Sequence, residues 1–152
     1  MTLPDIGSEA PDFEGPTQSG EPLRLSDLRG RPVAVYFYPK DDTPGCTVQS
    51  CEFRDAFPRF DGSNAVILGV SPDSVKKHVK FRKKYDLPFT LLADVGHAVA
   101  DRYGVWKEKT FWGRKYWGNE RTTFVIAPDG TIAHVFEKVK PEGHAAEVAA
   151  VL

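Results

Sequence analysis

Sulfur is scarce in this chain: 152 residues hold two cysteines and one methionine. Two cysteines cannot build the disulfide framework of a small secreted domain. Long apolar runs are missing too. The longest, Val33 to Tyr38 and Ala65 to Val70, fall far short of the ~20 residues that a membrane helix needs. Neither sign of charge dominates, since 20 basic against 21 acidic residues leave a net charge of -1. No strong field therefore draws in nucleic acid or anionic lipid, and neither nucleic acid nor a membrane is expected as a partner. The opening Met1-Thr2-Leu3-Pro4-Asp5-Ile6-Gly7 carries no basic and then apolar leader, so a cytoplasmic, reducing compartment is expected. There a close cysteine pair reacts more often than it staples. No internal repeat, low-complexity tract or Pro/Gly/Ser linker divides the chain, which predicts one domain over 1–152.

What is present reads as alternating strands and helices. Residues 1–32 are rich in turn formers and predict short strands or irregular structure. Val33 to Tyr38 is β-branched, small and aromatic throughout and stops at Pro39, the pattern of a strand buried on both faces. Ala65 to Val70 is a second such strand. Ser71 as N-cap, Pro72 at the first helical position and Asp73 in the first turn predict a helix beginning there. Its stripe is Val75, His78, Val79 and Arg82. Phe89 to Leu92 predicts a strand and Val95 to Tyr103 a short helix. Thr122 to Ala127 and Thr131 to Phe136 flank the turn Pro128-Asp129-Gly130 and predict a hairpin. Glu142 to Ala150 predicts a closing helix. The whole predicts an α/β fold, a mixed sheet flanked by helices.

The chemistry gathers in Pro39-Lys40-Asp41-Asp42-Thr43-Pro44-Gly45-Cys46-Thr47-Val48-Gln49-Ser50-Cys51. A buried strand ends, a loop follows, and a helix opens near Cys46, at the sheet edge where open α/β folds place ligands. Pro58 should end or kink that helix near Phe57. A free thiol has a pKa near ~8.5, and a helix N-terminus contributes at most ~2 kcal/mol toward its thiolate. A cation or further donors must supply the rest. Thr43 can present its hydroxyl to the sulfur, and Arg121, just before the strand at Thr122, is the best-placed arginine. The Cys-x4-Cys gap is wide for zinc, no second pair exists, and His78, His97, His134 and His144 are scattered. These histidines read as surface or partly buried residues without a catalytic role. The lysines and arginine from Lys76 to Lys84 read as a solvated face. No phosphate loop, paired-His motif or serine elbow is present, so neither a metal nor an organic cofactor is expected.

Pro39, Thr43 and Cys46 form the Pro-x-x-x-Thr-x-x-Cys signature, and with it the chain resembles the peroxiredoxins. Phe37-Tyr38-Pro39-Lys40, Thr43-Pro44-Gly45-Cys46-Thr47 and a second cysteine at 51 resemble the bacterioferritin-comigratory (peroxiredoxin Q) branch. Gly7, Ala10-Pro11-Asp12-Phe13, Arg121-Thr122-Thr123-Phe124-Val125-Ile126 and Asp129-Gly130 resemble other parts of the same family, so the likeness covers nearly the whole chain. It implies a thioredoxin-like fold and a thiol peroxidase acting on hydrogen peroxide and organic hydroperoxides. In that reading Cys46 is the peroxidatic thiolate and Cys51 the resolving thiol. Thr43, Arg121 and backbone N–H groups near Gly45 bind and polarise the peroxide, and Pro39 shields the sulfenic acid. The implied partners are a hydroperoxide and thioredoxin or a similar dithiol, with the chain a monomer. One departure is Gln49, where the family commonly carries Glu.

Other classes fit less well. A disulfide oxidoreductase on the same fold would want Cys-x-x-Cys. The basic and aromatic stretch Trp106 to Trp117 could serve single-stranded nucleic acid, but no recognition motif accompanies it. The resemblance sets this stretch in the loop leading to Arg121, as an apolar wall beside the active site.

Overall fold

The computed structural model describes residues 2–152. The chain opens with a small ribbon, β1 (Glu14–Pro16) and β2 (Pro22–Arg24), and a 3₁₀ turn over Leu25–Leu28. It continues through β3 (Val33–Phe37), α1 (Pro44–Asp55), α2 (Phe57–Gly62), β4 (Val66–Ser71), α3 (Val75–Tyr85), β5 (Thr90–Ala93) and α4 (Ala98–Arg102). A hairpin of β6 (Trp106–Phe111) and β7 (Arg114–Asn119) leads to β8 (Thr122–Ile126), β9 (Ile132–Phe136) and α5 (His144–Ala150). The main sheet has five strands in the order β5-β4-β3-β8-β9. β3, β4 and β5 run parallel, β8 is antiparallel to β3, and β9 is antiparallel to β8. The predicted mixed sheet with flanking helices is therefore the observed one, and no helix among the described residues is long and apolar enough to cross a membrane.

The two-residue period of a strand divides the core. Val33, Val35 and Phe37 of β3 face a layer built with Phe13, Tyr103 and Phe124. Ala34, Tyr36 and the following Tyr38 face a second layer with Cys46, Phe53, Phe60 and Phe81. Burial on both faces explains why the β3 sequence is apolar throughout rather than alternating. Gly69 lies opposite Tyr36 across the β3–β4 pair. A Cβ there would meet the end of the Tyr36 ring at 2.9 Å, so the missing side chain lets that ring lie across β4. Pro58 acts as expected: α1 ends at Asp55 and a separate helix starts at Phe57.

Three expectations fail. The helix expected at Ser71 begins at Val75, with Ser74 as its N-cap accepting from the Lys77 N–H. Ser71 is still in β4, and its hydroxyl instead donates to the Asp73 carboxylate, a rival use of a cap-like residue. The stripe fails also, since Val79 is exposed while His78 and Phe81 are buried. Finally, Trp106 to Trp117 lies in a regular ribbon rather than a loop. Its turn is Trp112-Gly113, with positive φ at both residues.

Candidate active site

Three elements bring the site together. Cys46 is the third residue of α1, whose N-cap is Thr43 and whose first helical residue is Pro44. The thiol thus lies in the first helical turn, where backbone N–H groups are unpaired and the dipole is positive. It is 1% exposed and belongs to the same layer as Tyr36 and Phe53. Arg121, immediately before β8, donates from Nη2 to the Cys46 sulfur at 3.4 Å and from Nη1 to Gln49 Oε1 at 2.6 Å. The arginine expected from the sequence is therefore at the sulfur. Its anchor is the neutral amide oxygen of Gln49, one turn beyond Cys46. Gln49 is wholly buried and its Nε2 has no partner.

Gly45 makes room for this pairing. A Cβ at 45 would stand 3.1 Å from Arg121 Nη2 and 3.3 Å from Pro141 Cγ. Pro141 belongs to a segment tied down at both ends. The Val139 N–H donates to the Arg121 carbonyl, and the Gly143 N–H donates to Glu52 of α1.

Thr43 departs from expectation. Its hydroxyl donates to the Lys40 carbonyl at 2.8 Å, not to the sulfur. With the proton directed there, the oxygen keeps a lone pair to offer a substrate O–H. Pro39 is half-buried in the loop between β3 and α1.

Cys51 is half-buried, lies on α1 with Cys46 and is unbonded. Burial pushes its thiol above the ordinary range. Sequence reasoning missed Lys109 and Asn119. Lys109, on the ribbon, donates to the Asn119 carbonyl, and Asn119 Nδ2 donates to the Tyr38 carbonyl at 3.1 Å. Burial, and after it the like charge of Arg121, pushes the Lys109 ammonium down. This ribbon thus roots beside the site, while Phe111, Trp112, Tyr116 and Trp117 at and near its tip are exposed. His78 and His144, expected at or near the surface, are wholly buried. No group of metal-ligating side chains occurs among the described residues.

The arrangement is a buried thiol in a helix's first turn, faced by a guanidinium held in place by Gln49. Such a thiol can attack an electrophilic atom whose leaving group departs as an anion. Comparison with known proteins agrees. The AhpC/TSA family model matches residues 6–135. A putative peroxiredoxin of Coxiella burnetii is 52% identical over 144 residues, 95% of either chain. Peroxiredoxin Bcp of Bacillus subtilis is 48% identical over 147 residues, covering 97% of this chain and 93% of that protein. The solved structure of the Xanthomonas campestris bacterioferritin comigratory protein, studied for its alkyl peroxide reduction, superposes with a TM-score of 0.90. It is 38% identical, covering 97% of this chain and 96% of that one.

Proposed function

We propose, since the chain belongs to the AhpC/TSA family and is a thiol-dependent peroxidase of its bacterioferritin-comigratory (peroxiredoxin Q) branch, that Cys46 is the thiol that meets the peroxide. The observation that carries this assignment is the Arg121 donor 3.4 Å from a sulfur in the first turn of α1. The Cys46 thiolate attacks one oxygen of the hydroperoxide, the O–O bond breaks, and the alkoxide leaves and takes up a proton. Cys46 becomes a sulfenic acid. Arg121 and the free N–H groups around Gly45 stabilise the charge that builds on the departing oxygen. Thr43 Oγ1 accepts the hydroperoxide O–H while its own O–H stays donated to the Lys40 carbonyl. Pro39 walls the sulfenic acid from water.

Cys51 then attacks the Cys46 sulfenic acid, forming a disulfide and releasing water. Thioredoxin or a similar dithiol reduces that disulfide by exchange, leaving two thiols and an oxidised reductant. The family supports both partners. We further place the enzyme in the cytoplasm as a monomer, on the reducing chemistry it needs and on a cysteine pair contained in one helix. Peroxide consumption coupled to NADPH through thioredoxin and its reductase tests the cycle. Cys46→Ser should abolish turnover. Cys51→Ser should keep a rapid single oxidation and lose recycling by thioredoxin. The opposite pattern would reverse the two roles.

A further inference from the structure

The loop that delivers Cys46 rests on a buried polar assembly that the peroxide chemistry does not use. His78 of α3 is 0% exposed. Its Nδ1 lies 2.6 Å from Asp41 Oδ2, and its Nε2 lies 2.9 Å from the Leu92 carbonyl of β5. Asp41 Oδ1 accepts the Tyr38 hydroxyl at 2.5 Å, and the Asp41 N–H donates to Asp73 Oδ2 at 2.8 Å. The same Asp73 oxygen accepts the Ser71 hydroxyl at 2.7 Å. One residue along, Asp42 stands at a φ of 59° and accepts from Lys84 and Tyr85, also of α3.

We infer that His78 is a positioning residue for the peroxidase reaction: through Asp41 it fixes the loop from Pro39 to Thr43, and so sets Thr43 and the start of α1 against Arg121. The inference rests on Cys46 being the reacting thiol. Donors and acceptors around the ring match one to one. A carbonyl accepts only, so Nε2 carries a proton for Leu92. The carboxylate offers two oxygens, one to Tyr38 and one to Nδ1. The ring thus meets a partner at each nitrogen, and an apolar residue at 78 would leave both the carboxylate oxygen and the Leu92 carbonyl buried without this partner. Such orphans cost far more than a hydrogen bond adds. The anchor also stops at the right place. Asp41 and Asp42 are held from α3, whereas α1 starts at Pro44, so the loop stays put while the helix beyond it remains free to open.

Two substitutions separate positioning from general stability. The amide of His78→Asn reaches the Nδ1 position and keeps the Asp41 contact, whereas that of His78→Gln reaches the Nε2 position and keeps the Leu92 contact. Each loses one hydrogen bond. By stopped-flow tryptophan fluorescence at a temperature where circular dichroism shows both folded, His78→Gln should lower the second-order rate with hydrogen peroxide at least tenfold. His78→Asn should lower it less than threefold, and disulfide formation should change less than twofold in either. Equal rates in the two variants, with similar losses in Tm, would show a merely structural histidine and overturn the proposal. Should His78→Gln fail to fold, Asp41→Ala against Asp41→Asn makes the same comparison, with the alanine variant slower by at least tenfold. Cys46→Ser runs alongside: a fast oxidation surviving in that variant would sink the assignment of the site itself, a failure distinct from that of the anchor.

Discussion

Removing the Tyr36 hydroxyl should speed formation of the Cys46–Cys51 bond about fivefold. Both cysteines lie within α1, and five residues of regular helix separate their Cα atoms by about 8.7 Å, from ~7.5 Å of rise and about 140° of rotation. A disulfide needs about 4.4–6.8 Å. The first turns must therefore unwind before the sulfurs meet, and whatever ties those turns to the sheet slows the step. Beyond the Arg121 contact to the Cys46 sulfur, two side-chain ties are in place. Gln49 holds Arg121, and Ser50 and Tyr36 share a buried hydrogen bond of 2.8 Å. Tyr36→Phe cuts the second and keeps the rings stacked on Tyr38 and Phe53. Ser50 can turn its hydroxyl to the carbonyl four residues back, so no orphan is left.

A buried neutral hydrogen bond contributes about 1 kcal/mol net, which is about a fivefold change in the ratio of open to closed helix. The assay is stopped-flow fluorescence of the second phase after one equivalent of peroxide, paired with mass spectrometry of Cys46 at high peroxide. The variant should resolve about five times faster and yield correspondingly less sulfinic acid. Val48→Ala works in the other direction. Relieving one β-branched residue gains roughly 0.5 kcal/mol of helix, so resolution should slow about twofold. A Tyr36→Phe protein that resolves at the wild-type rate would refute the reasoning, as would an oxidised structure with α1 intact and the two sulfurs bonded.

How far the sequence discloses this molecule depends on what each residue is used for. The strands β3, β4 and β8 are legible because burial on both faces leaves only apolar residues to choose. Cys46, Arg121 and the loop between β3 and α1 are legible because the chemistry needs those residue types at a strand–helix junction. The obscure parts are polar residues turned inward. Ser50 looks like a weak helix former, yet it is one of the ties that hold α1. His78 reads as a surface or partly buried residue without a role, because the partners of its ring are 14 and 37 residues away. Ser71 fits a cap rule and is claimed by Asp73 instead. The β6–β7 ribbon escapes because it stands apart from the main sheet. Without a buried face its aromatics do not alternate in the way that marks a strand, and Trp112-Gly113 is not one of the usual turn pairs.

Three further perturbations test other parts of the account. Gly45→Ala places a methyl 3.1 Å from Arg121 Nη2, so the guanidinium must shift; a positioned donor of this kind is worth about 10²–10³ in rate, and the second-order rate with peroxide should fall at least tenfold, whereas an unchanged rate would show that Arg121 need not stand where it does. His144, buried with Thr123 and Glu147 as partners, has its pKa lowered chiefly by burial. The unfolded chain therefore binds the proton first as pH falls, so chemical denaturation should show stability dropping below the ordinary imidazole value of about 6.5, and His144→Gln should flatten that slope. Gln49→Glu bears on the departure from the family pattern. The present amide leaves Nε2 buried and unpartnered, a burden of about 1–3 kcal/mol. A carboxylate there would offer two acceptors and a charge to Arg121, at the cost of its own desolvation. The side chain already meets the guanidinium at 2.6 Å, so the charged bond forms without rearrangement and the gain should prevail. The melting temperature should rise by about 2–6 °C, on the usual scale of roughly 2–4 °C per kcal/mol for a chain of this size. A fall in melting temperature would mean that desolvating the carboxylate outweighs the charged bond, and that the neutral amide is the better anchor for this arginine.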